Sequence, residues 1–202
     1  MWICTNCQHV EIIDRQPERC QLCGAQSNKI VQFEIGNIKG SKTIKNLQGS
    51  FVAESKAHQR NLAFAMKAEQ ENYPQIAKLF RAIAEAEAIH AYHDMHFLGV
   101  ISETQTNLEV AFERENLATE SYPQFVKEAN EEGNTSVAKM FSQTRDVERT
   151  HAQLYEKALE HMLADTVTDY YVCSVCGWVS DGFCPDSCPV CGAPESSFKL
   201  IM

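Results

Sequence analysis

The segments that decide the fold are AKLFRAIAEAEAIH at residues 77–90 and AKMFSQTRDVERTH at residues 138–151. Both begin Ala-Lys-x-Phe and end Glu-x-x-His, in a common register 61 residues apart. A second shared pattern, Asn-Leu…Phe…Glu, lies at 46–54 and recurs with the same offset at 107–115. Apolar residues at three- and four-residue spacing predict helices in this region. It is therefore interpreted as a duplicated helical hairpin, with helices at about 46–72, 75–98, 107–131 and 135–163.

The glutamates of these patterns fall where the helical core is expected. In the second helix, steps of three and four residues lead from Ile83 to Glu87 and His90. Burying a carboxylate without a partner costs several kcal/mol, so four inward glutamates require cations. Two Glu-x-x-His pairs and two single glutamates form the ligand set of a carboxylate-bridged di-metal site in a helix bundle. The predicted ligands are Glu54, Glu87, His90, Glu115, Glu148 and His151.

The chemistry of these ligands narrows the choice of metal. Carboxylates with one imidazole per metal favour iron or manganese, whereas zinc prefers fewer ligands. A solitary Glu-x-x-His on a helix is usually a solvated face, but two copies in register with a duplicated glutamate indicate metal binding. His58 lies four residues after Glu54 and is a further candidate ligand. The other histidines are expected at the surface or in packing: His9, His93, His96 and His161.

Eight of the nine cysteines form Cys-x-x-Cys pairs, two near each end of the chain. Such pairs suit a metal chelate better than a disulfide, and intracellular thiols stay reduced. Spacing alone does not distinguish a rubredoxin-type iron from a zinc ribbon. Cys184 falls outside the pattern and is interpreted as a free thiol. The predicted sites are Cys4, Cys7, Cys20 and Cys23 near the start, and Cys173, Cys176, Cys188 and Cys191 near the end.

The residue after the second cysteine of each pair distinguishes the two sites. It is Gly24, Gly177 or Gly192 in three pairs, which permits a tight left-handed turn. Gln8 occupies this place in the first pair. Iron is therefore expected at the C-terminal site, and iron or zinc at the N-terminal one.

Composition and charge exclude several classes of partner. A formal net charge of −9 argues against nucleic acids and acidic membranes, which need a basic surface. The chain shows no secretion signal and no apolar run long enough to span a bilayer. We expect a cytoplasmic protein with three domains: residues 1–35 and 168–202 at the ends and 46–164 between them, with 36–45 as a polar linker.

Several motifs resemble the rubrerythrin family over almost the whole chain. They are Ala53-Glu54-Ser55, the two Glu-x-x-His helices, Tyr122-Pro123-Gln124-Phe125 and the C-terminal segment YVCSVCG…CPVCGAP. The resemblance implies a mainly α fold: a ferritin-like four-helix bundle, here flanked by two small rubredoxin-like or zinc-ribbon-like β domains. It implies a peroxidase whose catalytic residues are the six di-iron ligands. Fe(Cys)4 centres would relay electrons to hydrogen peroxide from a separate NADH-linked flavoprotein or rubredoxin reductase.

One departure from the family bears on the di-iron site. Rubrerythrins commonly carry a further carboxylate on the third helix, one turn after the first, that takes part in redox-linked iron movement. Ala118 stands at that position here, and Ala57 stands at the matching position of the first helix. Glu120 lies about 140° round the helix from Glu115. Iron movement of that kind is therefore not expected, whereas peroxide reduction does not depend on it.

Two other functions and the assembly follow from the same features. A ferritin-like bundle also supports iron oxidation and storage, although storage needs no built-in electron carrier. An electron carrier with structural zinc knuckles is the other alternative. In a ferritin-like bundle the second and third helices run parallel, so the link at 99–106 must return along the bundle and is barely long enough to do so. This predicts a homodimer whose two chains exchange helical hairpins.

Overall fold

The computed structural model of the chain describes residues 1–162 and 167–202 and divides into two units, Met1–Ile101 and Ser102–Met202. The first unit contains strands β1 (Trp2–Cys4), β2 (Val10–Glu11) and β3 (Ile30–Gln32), then helices α1 (Lys42–Gln70) and α2 (Pro74–Leu98). The second contains α3 (Thr104–Glu131) and α4 (Thr135–His161), then β4 (Tyr170–Cys173), β5 (Val179–Asp181) and β6 (Phe198–Ile201). The two units thus contain the same parts in opposite order.

Each end of the chain forms a small antiparallel sheet around a group of cysteines. The strand orders are β2-β1-β3 and β5-β4-β6, so the first strand of each sheet is central. Cys4, Cys20 and Ile30 form the buried core of the N-terminal sheet, with Trp2 packed against them. We call residues 1–35 the N-terminal knuckle and residues 168–202 the C-terminal knuckle. A core of this size needs support from a metal, because so few apolar residues are buried.

Alanines let α1 and α2 approach closely in the first hairpin. Ala77 and Ala84 of α2 are fully buried, and α1 contributes Ala57 and Ala65. The prediction that α1 begins at about residue 46 is wrong by one turn, because the Ser41 hydroxyl caps the helix by accepting a bond from the Ile44 N–H. The predicted linker therefore includes the first turn of α1.

The second hairpin repeats this plan with α3 and α4. Helix α3 begins at Thr104, three residues earlier than predicted, and continues through Pro123. The Asn107 side chain binds both the N–H and the carbonyl of Ser102 just before the helix. The predicted helix end at 163 and domain end at 164 lie outside the described residues.

The predicted fold class is confirmed: four long helices, with a small antiparallel sheet and a Cys4 group at each end. Among the described residues, no helix combines the length and apolar character needed to cross a membrane.

Candidate di-metal and Cys4 metal sites

Helices α1 and α2 bring together the first half of the predicted di-metal site. The ligand atoms of Glu54, Glu87 and His90 all lie within 4.8 Å of one another. His90 Nδ1 is 3.0 Å from Glu87 Oε2 and 4.0 Å from Glu54 Oε2. Ligand atoms about 2.1 Å from one metal are about 3.0 Å apart when adjacent and about 4.2 Å apart when opposite. The three side chains therefore fit a single ion.

Helices α3 and α4 form the second half-site with the same geometry. His151 Nδ1 is 3.0 Å from Glu148 Oε2 and 4.0 Å from Glu115 Oε1. The two half-sites differ in solvent exposure: the His90 side chain is 59% exposed, whereas that of His151 is 23% exposed. The sequence repeat thus produces two equivalent sets of ligands, one of them better shielded from water.

Burial and the neighbouring carboxylate shift the pKa values of the glutamates in the two half-sites. Burial raises the pKa of Glu115 to about 7, with a further increase from the hydrogen bond and charge of Glu148, while the His151 charge opposes it. In the first half-site, a hydrogen bond shared with Glu87 raises the pKa of Glu54 and lowers that of Glu87. Glu115 therefore binds its proton more tightly than a free carboxyl group does, and a bound cation would replace that proton.

The cysteines form two compact groups with the spacing of a tetrahedral metal site. The Sγ–Sγ distance is 3.7 Å for Cys4–Cys23 and 3.6 Å for Cys7–Cys20. At the other end it is 3.7 Å for Cys173–Cys191 and 3.6 Å for Cys176–Cys188. Four sulfurs about 2.3 Å from a central metal lie about 3.8 Å apart, whereas disulfide sulfurs are about 2.0 Å apart. The four sulfur atoms at each end therefore fit one metal ion with four cysteine ligands, which we call a Cys4 group or Cys4 site as distinct from residue Cys4.

The N-terminal knuckle keeps the turn geometry of the others without the glycine. Gln8 has φ = 61° and its N–H bonds to the Cys4 carbonyl, as Gly177 at φ = 84° bonds to Cys173. A residue with a Cβ is strained in this left-handed region. The thiols also differ in proton affinity. Although a backbone bond from His9 lowers it, burial and the neighbouring thiols raise the pKa of Cys7 to about 12, while the Asn6 amide lowers that of Cys23 to about 6.

Comparison with known proteins matches both the helices and the C-terminal knuckle. Residues 45–105 and 106–172 match the Rubrerythrin family, and residues 171–199 match the family described as rubrerythrin, rubredoxin-like domain. The chain belongs to the rubrerythrin family. This membership implies iron, as the family consists of di-iron proteins, and it indicates an oxidoreductase.

Individual relatives match along most of their length. A rubrerythrin of Porphyromonas gingivalis is 36% identical over 183 residues, covering 81% of this chain and 92% of the relative. Nigerythrin of Nitratidesulfovibrio vulgaris is 29% identical over 178 residues, covering 77% and 85%. A solved structure of nigerythrin in a partially reduced state has a TM-score of 0.49 and 29% identity, covering 79% of this chain and 86% of that one.

The other residues considered in the sequence analysis are placed as follows. His58 directs Nδ1 to the backbone carbonyl of Ala84 at 2.9 Å, and so ties α1 to α2. Ala118 is half-buried, and Glu120 is exposed. Burial raises the pKa of the Cys184 thiol, which is half-buried and free.

Sequence reasoning assigned no role at the half-sites to two side chains that lie near them. Asp94, one turn after His90, lies close enough for its charge to add to the raised pKa of Glu54. Its Oδ2 atom is buried without a hydrogen-bond partner among the described residues. Burial, and then the charges of Glu148 and Glu115, raise the pKa of Tyr122. Helical spacing from the ligands could have indicated both residues.

Proposed function

We propose that this protein is a peroxidase that reduces hydrogen peroxide to water. The reaction consumes two electrons and two protons for each peroxide and releases two water molecules. The observation that carries the proposal is that two matching carboxylate–histidine half-sites and two Cys4 groups occur in one chain. When bound, an iron pair at the half-sites would supply the two electrons, and Cys-ligated iron would return them one at a time. Storage of iron needs no such carrier.

The six predicted ligands would hold the two iron ions in this proposal. Glu54, Glu87 and His90 would hold one iron ion, and the corresponding residues of the second unit would hold the other. Four half-buried phenylalanines lie on the helix faces that carry the ligands and would limit the access of bulk water: Phe51, Phe80, Phe112 and Phe141. Their exclusion of water strengthens the attraction between the carboxylates and the metals.

We propose that a complete site is assembled from two chains. In a bundle whose hairpins are related by a pseudo-twofold axis, α2 and α3 run parallel, so the chain between them must return along the bundle. His90 lies eight residues before the end of α2 and Glu115 eleven residues after the start of α3. The return must therefore cover about 28 Å lengthwise. The segment from Leu98 to Thr104 spans only about 20 to 22 Å when fully extended.

The apolar faces of the hairpins support the same assembly. Ile76 and Val137 lie eleven residues before Glu87 and Glu148, and Ile83 lies four before Glu87, so all three share the helix faces that carry the ligands. They are 47%, 42% and 42% exposed, in the order Ile76, Val137, Ile83, in the single chain. Apolar side chains at regular helical spacing need a covering surface. A homodimer in which hairpin α1–α2 of one chain pairs with hairpin α3–α4 of its partner would provide it.

Complementation between two inactive variants tests the exchange. A Glu87→Ala chain refolded together with a Glu148→Ala chain should form heterodimers with one of two sites intact, and activity should partly return. Each variant refolded alone is the control. If heterodimers form and no activity returns, hairpin exchange is wrong.

The proposal extends to the electron supply and the compartment. The C-terminal Cys4 group would hold iron, and the N-terminal group would hold iron or zinc. The reductant would be a separate NADH-linked flavoprotein or rubredoxin reductase. A cytoplasmic location is proposed because the eight thiols must stay reduced to bind metal.

Anaerobic stopped-flow mixing tests the peroxidase activity. The fully reduced protein should re-oxidise its Cys4 iron within seconds of mixing with hydrogen peroxide, and much more slowly with O2. A C-terminal fragment with its iron bound is the control for direct oxidation of the Cys4 centre. Re-oxidation no faster than in this fragment would refute peroxide reduction at the paired irons.

A further inference from the structure

The C-terminal knuckle contacts helix α4 directly at the second half-site. The carbonyl oxygen of Gly177, the residue after Cys176, is 3.2 Å from His151 Nε2. Because Nδ1 of the same ring faces Glu148 and Glu115, a metal bound there leaves the proton on Nε2, which then donates to Gly177. Cys176 of the four-cysteine group and His151 of the half-site are thus joined by the backbone of Gly177 and one hydrogen bond.

An ion pair joins the C-terminal knuckle to α4 about two turns beyond His151. Lys157 binds Asp181 at the end of β5, and the Thr168 hydroxyl donates to the other oxygen of Asp181 at 2.6 Å. The Asp181 side chain is only 15% exposed. A carboxylate this buried requires its partners, since an unpaired one would be costly. The bond to Lys157, followed by that to Thr168, lowers the pKa of Asp181.

The N-terminal knuckle contacts its own hairpin elsewhere. Within the described residues of the first unit, Phe33 packs edge-on against Phe97 with ring centroids 5.1 Å apart. A Cβ placed on Gly99 would lie 3.1 Å from Ile35 Cδ1. These contacts lie seven to nine residues beyond His90, about 10 to 13 Å along α2. The two knuckles therefore differ in how they meet their helices.

We propose that Lys157 and Asp181 are positioning residues that hold the C-terminal knuckle on α4. The Gly177 carbonyl then fixes the His151 ring and couples the four-cysteine group to the half-site of the same unit. The inference rests on the proposed function for its electron-transfer consequence. With iron bound, oxidation of one ferrous iron to ferric iron at the four-cysteine group would supply one electron to the paired irons. The external reductase restores it, and two such transfers match one peroxide.

The test compares two substitutions that create the same kind of like-charge pair. Lys157→Glu places a carboxylate against Asp181. Lys127→Glu places one against Glu131 on exposed α3, where the native pair is 3.8 Å apart, and serves as the matched control. Lys157→Arg retains the charge and should behave as wild type.

Two readouts are taken on the full chain. In zinc-loaded protein, ¹⁵N relaxation should show the C-terminal knuckle tumbling with the helices in wild type, Lys157→Arg and Lys127→Glu, and faster in Lys157→Glu. In the iron-loaded protein, peroxide-driven re-oxidation of the C-terminal Cys4 iron should slow at least about tenfold in Lys157→Glu, as expected for the loss of a charge-assisted bond. The Cys4 visible spectrum should not change.

The outcomes separate this inference from the proposed function. If the knuckle of Lys157→Glu still tumbles with the helices, the ion pair does not seat it and the proposal is wrong. If the knuckle is freed but re-oxidation keeps the wild-type rate, the coupling through Gly177 is wrong. If the wild type itself fails to re-oxidise with peroxide while the relaxation results hold, the proposed function fails and the seating role stands.

Discussion

Glu115 should make metal binding in the helices dependent on pH near neutrality. Its pKa is about 7 in the folded protein without metal, raised from 4.5 by burial and by Glu148. A metal must displace this proton at any pH below about 7. Protonation of Glu115 alone should therefore make the apparent affinity for the metal about tenfold lower at pH 6 than at pH 8.

The raised pKa of Glu115 also makes the stability of the metal-free protein depend on pH. The folded state holds the Glu115 proton more tightly than the unfolded chain does, so this group favours folding at acidic pH. That contribution is fully present below about pH 4.5 and is lost as the pH rises through about 7. Urea denaturation of the metal-free protein at several pH values measures it.

Glu115→Gln isolates the effect from other titrating ligands. Chelator competition with Mn²⁺ under anaerobic conditions, at pH 6, 7 and 8, gives the affinity of each variant. The glutamine variant should bind more weakly and with a smaller pH slope than wild type. Glu113→Gln, an exposed glutamate on the same helix, should leave both unchanged. An unaltered slope in Glu115→Gln would refute the reasoning.

Three further variants test the packing and electrostatics. Ala84→Leu should lower the free energy of unfolding by about 1 to 3 kcal/mol through overpacking between α1 and α2, whereas exposed Ala82→Leu should have little effect in the same urea titration. Ile30→Ala should cost about 2 to 5 kcal/mol in the N-terminal knuckle and speed the loss of its metal to a chelator; an unchanged rate would contradict its core role. Asp94→Asn should lower the pKa of Glu54 in the metal-free protein, measured by ¹³C NMR, and a pKa that stays in place would exclude the assigned charge effect.

Much of the site follows from sequence because it depends on local periodicity. Residues three apart on a helix share a face whatever surrounds it, which places Glu87 beside His90 and Glu148 beside His151. The duplicated register then predicts two half-sites of equal geometry, and the Cys-x-x-Cys spacing predicts the knuckles. These inferences need no long-range information.

Contacts that depend on tertiary packing could not be predicted in this way. The bond from His151 to Gly177 joins residues 26 positions apart through a backbone carbonyl, which carries no signal in the sequence. The early start of α1 depends on one hydrogen bond, which the Ser41 hydroxyl accepts from the Ile44 N–H, while the first turn of the helix is polar and resembles a linker. The bond from His58 to Ala84 likewise reflects close packing of the helices rather than a chemical pattern.

Counting iron in anaerobically purified protein tests the central claim most directly. Total iron is compared with Cys4 iron from the visible spectrum, in wild type and in the Glu87→Ala, Glu148→Ala double variant. The wild type should contain about two non-Cys irons per chain, held by one Glu-x-x-His pair each. The double variant should lose them and keep the red colour of its Cys4 sites. Full retention of non-Cys iron by the double variant would contradict the assignment.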